Sequence, residues 1–249
     1  MIVDFSTSGF IIIIIGIVLL ILALIPFKRK RLIENVPTSK IRSIAMGLVE
    51  IYGEVVPEGG NILKSPFSQN DCVYYKYRID ELRQSGKNSH WVTIKKGLDY
   101  RNFYLKDETG MVLVDPHDAN IDIPADNVFN SSLGKDPPYE VKQFLNNENI
   151  DFEGRLFGIN KTMRFYEHFI GLKDKLYIMG TAADNPFVRE ASAVKGVEDI
   201  IIKKGENEKI FYISDKSENV LLKRLRIIVT SLFVFGILLI IFGIILFIL

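Results

Sequence analysis

The sequence predicts an α+β, mainly β, fold in which a β-rich membrane-proximal domain is inserted between two transmembrane α-helices. Three observations predict it. Two uncharged apolar stretches, residues 10–27 and 227–249, bracket the chain of 249 residues. Between them, short runs alternate apolar and polar positions and are punctuated by Gly, Pro, Asn and Asp, the pattern of strands and turns. Basic clusters stand at the inner end of each apolar stretch: Lys28, Arg29, Lys30 and Arg31 after the first, Lys223, Arg224 and Arg226 before the second.

At a rise of about 1.5 Å per residue the first stretch covers roughly 27 Å and the second roughly 35 Å, against a hydrocarbon core of about 30 Å. Both can cross. Residues 1–9 form a short tail carrying only Asp4, and the first stretch ends Ala-Leu-Ile-Pro-Phe-Lys. A cleaved signal peptide wants a basic start and a small-residue cleavage site, so an uncleaved anchor fits better. The β-branched run Ile11 to Ile15 would weaken a helix in water. In lipid the backbone must satisfy its own hydrogen bonds, which favours helix.

All seven flanking cations lie on the side of the central domain, which by the positive-inside rule is the cytoplasmic side. The expected topology is a two-span protein of the cell membrane with both termini on the opposite face. Net charge is +1, but its distribution is uneven. Without the seven flanking cations and Asp4 the chain holds 24 basic and 29 acidic residues, a net −5. The basic flanks are therefore the expected membrane-surface residues, with anionic headgroups as their lipid partners. No basic patch with interleaved aromatics is evident away from the flanks, so no nucleic-acid partner is expected.

Cys72 is the single cysteine, and His90, His117 and His168 are dispersed. No disulfide or Cys-rich zinc module can be built within the chain, and no metal or cofactor is expected. Cys72 falls in a strand-like run, which suits a buried thiol better than a nucleophile.

Residues 44–56 read as a long strand with a glycine kink at Gly53, ended by the turn Pro57-Glu58-Gly59-Gly60. In residues 72–82, Val73, Tyr75, Tyr77 and Ile79 alternate with Tyr74, Lys76, Arg78 and Asp80, placing the first set inward. A loop at 83–89 leads to a return strand at 91–96. Residues 102–105 and 111–114 flank Asp107-Glu108-Thr109-Gly110, where Gly110 is expected to supply a positive φ. The stretch 115–138, rich in Pro, Asp and Asn, suits loops or short edge strands. A helix begins at Pro137-Pro138 and shows Val141, Phe144 and Leu145 on one face. Further strands fit 163–170, 175–181, 200–202 and 210–213. The capping pattern at Ser214 to Glu218 starts a helix that runs unbroken to residue 249. The resulting divisions are a tail (1–9), a span (10–27), a basic linker (28–43), a β-rich domain (44–213), a juxtamembrane helix (214–226) and a second span (227–249). The domain is either one body or two small β-barrel-like subdomains joined near Pro137. Gly9 and Gly16, and likewise Gly236 and Gly243, are seven apart, so each span has a small-residue face on which the spans can pack. Homo-oligomers are compatible with the same feature.

Gly47-Leu48-Val49-Glu50-Ile51-Tyr52-Gly53-Glu54-Val55, Ser65-Pro66-Phe67-Ser68, Cys72-Val73-Tyr74-Tyr75, Phe103 to Gly110 and Val114-Asp115-Pro116 occur in this order. Arg164 to Ile170, Lys173 to Thr181 and Phe211 to Ser217 follow. The series resembles the GIDE, or "beside-a-membrane" (BAM), domain of the MULAN family of membrane E3 ubiquitin ligases. The resemblance implies two flanking membrane helices and, in the animal members, a RING finger after the second span. A RING holds two zinc ions through eight Cys and His ligands, whereas this chain has four such residues. The resemblance is thus to the RING-less type found in archaea and bacteria.

Local catalytic signals are absent. Glu167 and His168 adjoin, but neighbours on a strand face opposite sides. Asp115-Pro116-His117-Asp118 has the composition of a metal cluster and the spacing of a polar turn, and no phosphate loop, serine elbow or HExxH is present. The expected catalytic set is therefore empty. The reading that follows is a scaffold that presents a rigid domain at the membrane face and either binds an unidentified protein partner or senses the bilayer. Its alternatives are a RING-less subunit of a ubiquitin-like protein ligase and an NfeD-like partner of a stomatin-like protein.

Overall fold

The computed structural model describes residues 5–153, 160–186, 199–206 and 210–248. They divide into two units, one made of the chain up to Pro37 with the chain from Lys216 onward, the other of Thr38–Asp215.

The first unit is a helical hairpin. Helix α1 runs Phe5–Asn35, and a second long helix, Glu218–Ile248, closes the chain. Both are long and apolar enough to cross a membrane, and only 11% of the most apolar window of each is buried in the protein. That exposure separates them from soluble core helices and fits a two-span membrane protein. A Cβ built on Gly9 would meet the carbonyl oxygen of Gly243 at 2.6 Å, and one on Gly16 would meet that of Gly236 at 2.8 Å. Paired positions thus keep a constant sum, the signature of antiparallel helices. Ala23 and Val229, both buried, continue the same seven-residue stripe. Tail residues 1–4 and Leu249 lie outside the described residues.

The second unit contains strands β1 (Gly47–Pro57), β2 (Leu63–Lys64), β3 (Asp71–Ser85), β4 (Asn88–Tyr100), β5 (Phe103–Lys106) and β6 (Met111–Val114). Strands β7 (Asn120–Asp122) and β8 (Asn127–Ser131) precede helix α2 (Tyr139–Asn147), and β9 (Met163–Gly171), β10 (Lys175–Asp184), β11 (Ile200–Lys203) and β12 (Tyr212–Ser214) follow it. The closing helix of the hairpin is α3.

Five of these strands close into a barrel in the order β1-β5-β6-β11-β10, with β10 pairing back onto β1. All neighbours are antiparallel except β6 and β11. Taken in chain order the ring reads first, second, third, fifth, fourth, the connectivity of a small Greek-key barrel of the OB kind. Ile51, Val55, Phe103, Leu105, Val114, Ile178 and Ile202 fill it. At Gly53, β1 passes from β10 to β5, and an added Cβ would lie 2.5 Å from the carbonyl oxygen of Lys106. The glycine thus serves close approach of two backbones. Strands β12 and β7 extend the sheet beyond β10.

The second sheet is a half-barrel, with β4, β3, β9 and β8 side by side and β2 on the start of β3. Helix α2 supplies Val141 and Leu145 to its core, with Phe67, Tyr77, Ile79, Met163 and Phe165. The chain enters this sheet after β1, leaves at β5 and re-enters at β8. The two β-bodies are therefore interleaved, not joined in series near Pro137.

Several local expectations are corrected. The segment 28–43 is helical to Asn35, and from Thr38, which bridges to Glu50, it belongs to the β-domain; Ile41 is fully buried in the barrel core. Helix α3 starts at Glu218, four residues after Ser214, because Ser214 is the last residue of β12 and donates its hydroxyl to the Asp122 carbonyl. The inward set of β3 is not strictly alternate: Tyr74 and Asp80 are buried too. An irregularity between Cys72 and Tyr74 lets Val73 and Tyr74 both join the barrel core, and another falls at Ile79/Asp80. The hairpin after β3 is tighter than a loop at 83–89, since Ser85 pairs with Asn88 around a two-residue turn with positive φ at Gly86.

Candidate functional site

Every polar group that sequence reading singled out has a definite place. Glu167 faces inward with Met163 and Phe165, while His168 faces the other way and contacts the carbonyl oxygens of Ile123 and Pro124 through Nδ1. Glu167 is fully buried. Its Oε1 accepts the N–H groups of Phe67 at 2.6 Å and Ser68 at 3.2 Å; its Oε2 accepts the Ser68 hydroxyl at 2.5 Å and the Asn127 amide at 3.0 Å. One carboxylate thus holds the Ser65–Asn70 turn, where Gln69 has a φ of 56°, against the half-barrel. It is engaged as a clamp rather than poised as a base.

Cys72 is buried, and desolvation, followed by the negative fields of Glu167, Asp71 and Asp99, pushes its thiol up to about 12. A thiolate is the reactive form, so this side chain is inert at neutral pH. In Asp115-Pro116-His117-Asp118, Asp115 accepts the His117 N–H and Asp118 pairs with Lys204 at 3.2 Å, so the carboxylates turn to the backbone and a lysine. The His117 ring lies 2.5 Å from the Tyr100 hydroxyl. Among the described residues, no three His, Cys, Asp or Glu side chains gather in a way that could hold a metal ion.

The sequence predicts a positive φ at Gly110 for the β5–β6 turn, but Gly110 is not among the glycines with positive φ. Asp107 holds it instead. Its Oδ1 accepts the Thr109 N–H and hydroxyl and the Gly110 N–H, while Oδ2 accepts the Ile41 N–H. Burial raises the carboxyl, but these donors outweigh it and leave Asp107 below the ordinary aspartate value of 3.8. A group depressed in the folded state stabilises above its unfolded pKa and loses that contribution as the pH falls through its folded pKa. Asp107→Asn is expected to cost about 1 kcal/mol at neutral pH, allowing for partial solvent exposure. In thermal melts of wild type and variant, the gap should close as the pH drops below 3.8. A constant gap down to that range would dismiss this role.

Among the described residues, two of the β-domain's grooves bear on the chemistry. One, of about 310 Å³, is lined by Tyr52, Gly53, Glu54, Lys106, Glu108 and Lys175. The other, of about 170 Å³, includes Ile123, Asp126, Phe169, Asp174 and Leu176. The first is at the small end of ligand pockets and the second below it. Neither contains a Ser, Cys or Thr beside a base, so neither has the parts of a nucleophilic centre.

The basic flanks sit on the helical hairpin. Lys28 lies twelve positions after Gly16, and Arg224 twelve positions before Gly236. Since Gly16 and Gly236 pack together, the two clusters fall at one level, at one end of the hairpin. Lys28, Arg29, Arg31, Lys223, Arg224 and Arg226 are exposed, and Lys30 pairs with Glu34 at 3.1 Å.

The chain matches the GIDE family, described as an E3 ubiquitin ligase, over residues 74–247. No curated protein and no solved structure matches it. The matched stretch begins in β3 and ends in the last turn of α3, so it takes in most of the β-domain together with the second apolar helix. By this match, which covers well over half its length, the chain belongs to the GIDE family.

Proposed function

We propose that the protein is a two-span membrane protein whose β-domain docks a partner protein, acting as the anchored recruiting part of a ubiquitin-like ligase assembly and not as its transfer catalyst. The family match carries this reading. Chemistry limits it: one Cys and three His cannot supply the eight ligands of a RING, and the buried Cys72 thiol is unsuited to a ubiquitin thioester. In this reading the chain is of the MULAN-like, RING-less type. The cationic level of the hairpin meets anionic headgroups on the cytoplasmic side of the cell membrane, where the β-domain also lies. A second reading, an NfeD-like barrel serving a stomatin-like protein, is supported by the small closed barrel.

The test is reconstitution of the full chain in nanodiscs with ubiquitin-activating and ubiquitin-conjugating enzymes. No discharge of the conjugating enzyme is expected from the chain alone, and discharge should follow when a RING-bearing partner is added. Ubiquitin transfer by the chain alone would refute the non-catalytic role. A cytosol-restricted reporter that is active when fused after residue 249 would refute the topology.

A further inference from the structure

The outer face of the half-barrel sheet is cationic and aromatic in a domain that is otherwise net acidic. Strand register sets it out: Arg78 lies between Lys96 on β4 and Tyr166 on β9, and one step along, Asp80 lies between Thr93 and Arg164. Lys76, two residues before Arg78 on β3, belongs to the same face, and Lys76, Arg78, Lys96 and Arg164 are all exposed. The Arg164 guanidinium stacks 3.9 Å from the centre of the Trp91 ring, and that of Arg78 4.4 Å from the centre of the Tyr166 ring. Asp80 is buried and already engaged, with Arg78 at 3.1 Å and the Thr93 hydroxyl at 2.7 Å. Among the described residues, Lys76, Lys96 and Arg164 have no carboxylate partner.

We infer that this face docks a short acidic segment of a partner protein, an inference that rests on the partner-docking reading above. Strand spacing of about 4.8 Å and a rise of about 3.3 Å per residue place the four cations within roughly 10 by 14 Å, a span that two or three carboxylates of one peptide can match. Stacked on Trp91, the Arg164 guanidinium keeps its in-plane N–H groups free to fork a carboxylate, whereas Arg78 already gives its Nε–H to Asp80 and adds charge to the face; the ring lowers the entropy lost on binding. The same stacking occupies a face of both rings, the surface that nucleic-acid bases would need. The chain inside its basic flanks is net −5, which disfavours an extended polyanion or an anionic bilayer more than a short peptide.

The experiment is fluorescence anisotropy of a labelled short polyglutamate peptide with the full-length protein in neutral detergent. Saturable binding that weakens with salt is expected, with none to the polyglutamine analogue. Lys76→Glu/Arg164→Glu should weaken binding by about tenfold or more, while Lys135→Glu, outside the face, should not. If the double reversal fails to fold, Lys76→Gln/Arg164→Gln should weaken binding in the same direction. Peptide binding indifferent to both double variants would overturn the assignment to this face yet leave partner docking standing. Absence of peptide binding, or preferential binding of a single-stranded oligonucleotide or of phosphatidylserine vesicles through these residues, would overturn the inference outright. No ubiquitin component is present, so the result is independent of the transfer assay.

Discussion

Glu167→Ala is expected to destabilise the β-domain by about 3–5 kcal/mol, and Glu167→Gln by only about 1 kcal/mol. Alanine removes the acceptor of four hydrogen bonds at once and leaves a cavity under the Ser65–Asn70 turn. The Ser68 hydroxyl can turn to Ser65, 2.8 Å away, and Asn127 can reach water, but the buried N–H of Phe67 has nowhere to go. Orphaning such a donor costs about 1–3 kcal/mol by itself. Glutamine keeps the oxygen that serves Phe67 and Ser68; its new amide donates to the Ser68 oxygen, and Asn127 can flip to present Oδ1. The asymmetry extends to the aromatic core, because the Phe67 ring contacts those of Tyr77, Phe129, Phe144 and Phe165 at centroid distances of 5.2–6.5 Å. Denaturant unfolding followed by Trp91 fluorescence gives the two stabilities. Hydrogen exchange at the Phe67 and Ser68 amides reports whether the turn has come loose. Equal losses for Ala and Gln would show that the carboxylate is not the clamp.

That clamp shows where a single sequence stops being readable. Glu167 adjoins His168 and so stands out as half of an acid-base pair, whereas its partners stand 40, 99 and 100 residues earlier. The usable signal was its phase. On β9 it occupies the same face as Met163 and Phe165, and a carboxylate in an apolar phase must be heavily hydrogen-bonded. Asp107 was legible in the same way, as an Asx-type turn residue in Asp-Glu-Thr-Gly, but the glycine drew the expectation.

Spans, strands and helix α2 were legible because each is written locally, as an uncharged run, an alternation or a proline-led amphipathic turn. Pairing was not. Barrel closure joins β1 to β10, setting Gly47 beside Ala182, and no local pattern encodes a contact at that separation. The exception to alternation in β3 has the same origin: Val73 and Tyr74 serve the barrel core, while Tyr77 and Ile79 serve the half-barrel. One strand shared by two cores cannot show one clean period. The cationic face was hidden for a related reason, since Lys76 and Arg78 read as ordinary outward residues until register brings Lys96, Arg164 and Tyr166 beside them.

Gly16→Leu and Gly236→Leu should each pry the helical hairpin apart, at about 1–3 kcal/mol of helix association. Lipid tails are as apolar as the helices, so association rests on close packing, and the glycines permit it. A Cβ on Gly16 would lie 2.8 Å from the Gly236 carbonyl oxygen and 2.7 Å from the Ile240 side chain; one on Gly236 would lie 2.9 Å from Leu20. The Ile240 and Leu20 side chains can turn aside, whereas the Gly236 carbonyl, and the Gly16 carbonyl that lies 3.1 Å from a Cβ on Gly236, belong to the opposing backbone and yield only if the helices separate. The separation can be read with Ala23→Cys and Val229→Cys, which sit at one level of the buried stripe, in a Cys72→Ser background. Disulfide formation under mild oxidant should slow about tenfold with either glycine replaced, because two cysteines bridge only when their Cα atoms lie within roughly 7 Å. Ile14→Leu, at a position 45% exposed on the outer side of α1, should leave it unchanged. Crosslinking that survives leucine at both glycines would mean that the stripe does not set the spacing of the hairpin.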